Sequence, residues 1–366
     1  MEEPGKYETS KYIIRAAGFI LNAGVLVVLY RSGATFALRD LAERLAPARF
    51  PAVVVLFYIG VAGALMTVLQ LPLDYFSGFC LEHRFGLSRQ SRRDWFVDYL
   101  KGIGVASVLS VIGIETVYAL LRYQPERWWI YASLMFTGFV VLIANVAPVL
   151  LFPLFYKFKP VQSDDLRRRV DRLRRRTNAG VCGVFEWSLG EKTRKANAAV
   201  VGWGNTRRIL VSDTLLRNFS GEEIEVIMAH ELCHHVKGHM WWGILMEAAL
   251  SFGTFFTINE ALRRFTVFRG LADAANFPVI ALTGIMLSAA LLPVVNGFSR
   301  QLEKAADRFA IEVTGDAFAF VSSMEKLADL NLANKSPNKI IEFFFYSHPS
   351  VEARIKLAAD RVGQLA

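Results

Sequence analysis

The sequence predicts a mostly α fold: an integral-membrane helix bundle of about six spans with a small α+β domain outside the bilayer. Three observations predict it. The 366 residues are 53% hydrophobic, with 28 Phe and 7 Trp and a mean hydropathy of +0.32, which is richer in apolar side chains than ordinary soluble domains. Six stretches are each long and apolar enough to cross a bilayer. After the fourth of them, and again after the sixth, the chain turns polar and charged at residues 157–240 and 297–366, enough to build a lobe outside the membrane.

The first span, 13–29, is uncharged apart from Arg15. The segment before it is mixed in charge and holds no small-x-small cleavage site, so it reads as an anchor and not as a removed signal peptide. Spans two and three occupy 52–73 and 103–121. The fourth, 128–155, contains Pro148 and Pro153, which predict a kink or tilt. In the insertion that follows, residues 164–177 form a charged helix, and 180–187, 196–202 and 208–211 are short strands between polar turns. Ser220 and Glu223 have capping-box spacing just ahead of Ile224, Ile227 and Met228, so a helix runs from Gly221 through His234. Spans five and six are 241–258 and 278–295. The chain thus divides into 1–156 (spans one to four), 157–240 (catalytic insertion), 241–296 (spans five and six) and 297–366 (a helical tail that completes the site). Glu115, Asn145 and Glu247 fall within spans, where polar groups need water or a partner.

On the 221–234 helix stands His230-Glu231-Leu232-Cys233-His234, the pattern of a zinc metalloprotease helix. Residues i and i+4 lie about 40° apart on a helix, so both imidazoles can reach one metal. Glu231 lies about 100° from His230, placed to deprotonate an attacking water. The competing reading is a helix with a solvated polar face. His235 faces away from the pair and His239 lies more than a turn beyond, so both are expected at the surface or the membrane interface. Lys237 and Met240 stand where a metzincin would need Gly and His, which excludes that subclass. A catalytic zinc needs a third protein ligand and an open position. Glu303 is the candidate, with Asp307 one turn on and able to accept from a ligand histidine. Two spans separate His230 from Glu303, so both emerge on one side. His234 lies about 10 Å of helix before span five and Glu303 about 12 Å after span six.

Arginines at 167, 168, 169, 172, 174, 175 and 176 make the densest positive run in the chain and assign that side to the cytoplasm. Contact with anionic headgroups accounts for the run more simply than nucleic acid. Cys80, Cys182 and Cys233 form no CxxC pair, in keeping with a reducing side. Short length and high Arg and Ala usage suggest a bacterial inner membrane; a eukaryotic chain of this kind would sit in the endoplasmic reticulum.

From Leu71 onward the chain resembles the type I CAAX prenyl protease family, integral-membrane gluzincins. The resemblance rests on Leu71-Pro72 followed by Leu81-Glu82-His83-Arg84-Phe85-Gly86-Leu87, on Asn197-Ala198 with the run from Arg208 to Leu216, on the zinc motif, on Glu303 with Ala306-Asp307, and on Ser347-His348-Pro349. It implies one zinc held by His230, His234 and Glu303, with Glu231 as general base and Asp307 behind the ligands. Asn197 and Ala198 would lie beside an extended substrate, His348 would stabilise the oxyanion, and Arg354 would support the substrate or the site. Without the family, Asn197 reads as a turn residue, His348 as a helix entry and Arg354 as a solvated helix face. The family also implies a water-filled chamber, which Glu115, Asn145 and Glu247 would line; helix-to-helix hydrogen bonds are the alternative. Two departures stand out: Cys233 replaces a glycine and reads as packing, and six spans replace seven.

The expected function is zinc-dependent hydrolysis of a peptide or protein substrate, lipid-modified or membrane-embedded, at a lipid surface. The alternatives are a quality-control protease for membrane proteins and a catalytically silent zinc-bearing scaffold. An intact Glu231 argues against the scaffold, because a structural site closes with four protein ligands and needs no base.

Overall fold

The computed structural model describes residues 3–46, 50–180, 183–202, 207–265 and 269–365. Its helices run well past the apolar stretches that define the spans. α1 (Glu3–Arg31) ends at a left-handed Gly33, φ 77°, from which α2 (Ala34–Leu45) departs. Hydropathy does not reveal α2, which is short and amphipathic. Its Arg39 is buried 2.7 Å from Asp273, tying α2 to the turn before the last span. α3 (Pro51–Tyr75) passes through a π turn, Phe76–Leu81, into α4 (Glu82–Arg84). α5 (Arg92–Tyr123) and α6 (Trp128–Val146) follow. α6 gives way to a π turn at Ala147–Leu151 and a 3-10 turn at Phe152–Leu154, where Pro148 and Pro153 lack the N–H that would continue the helix. The regular α-helix is thus interrupted at the two prolines from which a kink or tilt is expected.

The lobe opens with β1 (Phe158–Pro160), a strand too short for its pattern to show in sequence. α7 (Asp164–Thr177), β2 (Val184–Trp187), β3 (Ala198–Val201), β4 (Arg208–Ser212) and α8 (Asp213–Asn218) come next. The sheet order is β1-β2-β4-β3: β1 is antiparallel to β2, β2 parallel to β4 and β3 antiparallel to β4, so β3 is an edge. β2 begins later than expected, and Cys182 lies outside the described residues. α9 (Gly221–Val236) carries the His-Glu-x-x-His motif. It does not continue straight into α10 (His239–Phe265), because Gly238 is left-handed, φ 66°. α11 (Phe277–Thr314) is one 38-residue helix that crosses the bundle and enters the lobe. α12 (Ala317–Asn331), α13 (Lys339–Phe345) and α14 (Val351–Leu365) complete it.

One core joins both lobe segments: Leu173 of α7, Ile209 of β4, Met228 and Leu232 of α9, Ala310 of α11 and Phe320 of α12. A second, inside the bundle, gathers Tyr58, Tyr118, Trp128, Ile258 and Leu262. Part of the arginine run is engaged inside the lobe. Arg169 pairs with Asp165, Glu222 and Glu225, and Arg176 donates to the Val313 carbonyl, about 27 Å of helix beyond the last apolar residue of span six. These two arginines tie α7 to α9 and α11, while Arg168, Arg172, Arg174 and Arg175 of the run are exposed. Among the polar residues of the spans, Asn145 donates to Val141 of its own helix, and Glu115 Oε1 is buried without a hydrogen bond. A cavity of about 470 Å³ lies between α5, α6, α10 and α11, but its walls are apolar, with Phe136, Phe139, Phe255 and Phe277 among them.

Candidate metal centre and active site

The start of α9 is fixed before its chemistry begins. Ser220 Oγ accepts from the Glu223 amide and Glu223 Oε2 accepts from the Ser220 amide, closing the capping box. Glu223 also accepts from Ser322 and Lys326 of α12, which docks the helix end on the tail. The next residues, Ile224 to His230, are all buried, so the motif helix runs through the core and its histidines have little freedom.

α11 packs across α9 and brings Glu303 and Asp307 to one face. His230 Nε2 lies 3.0 Å from Glu303 Oε2, and His234 Nε2 lies 3.6 Å from Glu303 Oε1. One ligand atom from each of His230, His234 and Glu303 falls within 4.8 Å of the others. Glu303 Oε2 is buried and makes no hydrogen bond despite its closeness to His230. Two imidazoles and an orphaned carboxylate oxygen converging on one point fit a metal ion, and this donor set leaves a position open. The electrostatics agree. Burial opposes charge on His230, but Asp307 and Glu303 outweigh it and hold its pKa up at about 9. The site is therefore built to hold positive charge there. His234 is pushed down to about 4, first by burial and then by His230.

Behind His230, Asp307 Oδ1 sits 2.9 Å from Nδ1. Arg354 of α14 forks onto the same carboxylate through Nε and Nη2. The structure thus places Arg354 on the support of the metal site, not on an open solvated face. His348 precedes α14; its Nε2 is 3.4 Å from Glu303 Oε2 and its side chain is 54% exposed, at the open side of the centre. Burial raises the pKa of Glu231, whose carboxylate receives the Val200 amide of β3. Ser212 donates to the Asn197 carbonyl, so by antiparallel alternation the N–H and C=O of Ala198 point away from β4, at the free edge. Asn197, which is exposed, and Ala198, whose side chain is buried in the lobe core, therefore flank the side of the candidate centre on which Glu231 lies.

Cys233 is fully buried, its Sγ 3.9 Å from the Ala305 carbonyl, and burial pushes its thiol up to about 12; it packs α9 on α11. His235 approaches the Val200 carbonyl. His239 is not a surface residue: it is 8% exposed, with Nδ1 3.1 Å from His234 Nδ1.

An integral-membrane bundle with a His-Glu-x-x-His helix crossed by a glutamate-bearing helix defines the class as membrane-embedded metallopeptidases. Residues 160–362 match the sequence model of Peptidase family M48, and the chain belongs to that family. Residues 2–157 match the model described as "CAAX prenyl protease N-terminal, five membrane helices", extending the resemblance back from Leu71; four of this chain's candidate spans lie in that region. The "Uncharacterized metalloprotease YhfN" of Bacillus subtilis is 29% identical over 361 residues, covering 96% of this chain and 84% of that protein. CAAX prenyl protease 1 of Saccharomyces cerevisiae is 26% identical over 337 residues, 84% of this chain and 72% of the yeast protein. The crystal structure of S. mikatae Ste24p shares the fold with a TM-score of 0.86 at 22% identity, covering 97% of this chain and 87% of that one. The protein is a multi-pass membrane metalloprotease that hydrolyses peptide bonds.

Proposed function

We propose that the protein is a zinc endopeptidase whose site is formed by His230, His234 and Glu303 as metal ligands and Glu231 as general base. The observation that carries this reading is the convergence of the three ligand atoms within 4.8 Å beside an orphaned Glu303 oxygen. Zinc held there supplies a Lewis acid for the scissile carbonyl and lowers the pKa of water. The remaining steps belong to the chain. An extended substrate pairs with the free edge of Ala198, with the Asn197 side chain beside it. Glu231 takes a proton from the attacking water and hands it to the departing amine, a task suited to a carboxyl whose pKa burial has raised. His348 donates to the carbonyl oxygen as negative charge grows on it. Asp307, gripped by Arg354, holds His230 in the tautomer that leaves Nε2 free for the metal.

The substrate is a lipid-modified peptide presented at the cytoplasmic face of a bacterial inner membrane. Supporting this are the closeness of the centre to the start of α10 and the similarity to proteins named CAAX prenyl protease 1. Purified protein incubated with a farnesylated CAAX peptide and an unmodified control tests it. Cleavage of the farnesylated peptide alone is expected. Equal cleavage of both would remove the lipid from recognition and favour a quality-control protease. Cleavage of neither, with zinc bound, would favour a silent scaffold.

A further inference from the structure

His239 is five residues beyond His234. On a continuous helix that separation turns the side chain about 140° away, so the two rings could not meet. They meet here because the chain is not continuous. α9 ends at Val236, Gly238 takes φ 66°, and α10 restarts with the Trp241 and Trp242 amides donating to the Gly238 carbonyl. A residue with a Cβ would be strained at that φ. The turn folds His239 back, buried, with its ring centroid 5.1 Å from that of His234 and the two Nδ1 atoms 3.1 Å apart.

Two imidazole nitrogens at that distance need a proton between them. His234 turns its Nε2 toward Glu303, so as a metal ligand it must carry its proton on Nδ1. His239 Nδ1 is then the acceptor, and the His239 proton sits on Nε2. We infer that His239 is a positioning residue: through its Nδ1 it fixes the tautomer and ring orientation of His234, as Asp307 does for His230. The two ligand histidines then have unlike supports, a carboxylate held by Arg354 for one and a neutral imidazole for the other. The second support is the first residue of α10, so the metal centre is tied directly to a membrane helix. The inference rests on the reading of His234 as a ligand.

The test measures zinc dissociation constants of the full-length, detergent-purified protein by chelator competition, with the absorption spectrum of the cobalt-substituted protein as a second readout. His239→Leu keeps bulk and removes the acceptor; it should weaken zinc by about 10–100-fold and shift the cobalt spectrum. His239→Asn places a carbonyl oxygen near the lost Nδ1 and should restore binding to within about threefold. Should His239→Leu not fold, His239→Ser, too short to reach His234, takes its place with the same expectation. Equal losses in the Asn variant and in the non-accepting one would make His239 mere packing and overturn the inference. Wild-type affinity in the non-accepting variant would overturn it too. His234→Ala is measured alongside: full zinc retention there would bring down the ligand reading and this inference together, whereas zinc loss there with wild-type behaviour in His239→Leu would bring down this inference alone.

Discussion

The weight of this site falls on a few buried side chains, and they should differ sharply in what their loss does. Glu303→Ala removes one of three proposed ligands and should abolish stoichiometric zinc, as read by elemental analysis of the purified protein. Asp307→Asn keeps the ligands but weakens the hold on His230, so affinity should fall by about 10–100-fold. His348→Ala should bind zinc normally and lose about 10²–10³ in turnover, the cost of one oxyanion donor; unchanged turnover would remove His348 from the mechanism. The pairing of His230 and His234 on one helix face was legible in the sequence because i,i+4 spacing on a capped helix is a local property. His239 was not, since its approach to His234 depends on a left-handed turn that spacing does not encode. The grip of Arg354 on Asp307 was equally invisible, because it joins residues 47 positions apart in the chain.

Among the elements, α9 and α11 carry the centre, and the capping box at Ser220 holds the first of them in place. Burial by itself pushes the Glu223 carboxyl up, but Lys326, Ser322 and the Ser220 amide outweigh it and keep it below the ordinary carboxylate range. A folded-state pKa below the unfolded one means that the stabilisation is present above the unfolded value, about 4.3, and is lost as pH falls through the folded one. Glu223→Gln should therefore lower the melting temperature most near pH 7. The gap to wild type should begin to narrow as pH falls below about 4.3 and close only once the pH lies below the depressed folded-state value, where both side chains are uncharged. A gap that stays constant with pH would exclude the ionic role. The long elements were readable because hydrophobic length and proline punctuation persist over many residues. α2, β1 and the late start of β2 were not, because a few residues of amphipathic or strand pattern fall below what periodicity can distinguish. The arginine run shows the same limit from the other direction: its charge was plain, but that Arg169 meets the carboxylates of α9 depends on tertiary packing.

For the molecule as a whole, the parity of the spans puts two chain segments on one side, and those two segments share one core in the lobe. Near the start of α1, Glu8 accepts from Tyr346 and from the Asn334 amide, and Lys195 reaches both Tyr7 and Glu82. The N-terminal helix, the insertion and the tail therefore meet on one side. In a cysteine-free background, Arg168→Cys and Asp360→Cys should be labelled by an impermeant maleimide only from the cytoplasmic side of sealed vesicles, and Glu126→Cys only from the other. Labelling of Arg168→Cys and Asp360→Cys from opposite sides would dismantle the shared site. The most direct test of the enzyme itself is Glu231→Gln, which preserves size and all three ligands but cannot take a proton from water. Zinc content and peptide hydrolysis are measured on the same preparation, beside wild type. One zinc per chain in both proteins, with cleavage reduced at least about a hundredfold in the variant, is the predicted result. Cleavage by Glu231→Gln at the wild-type rate would contradict it.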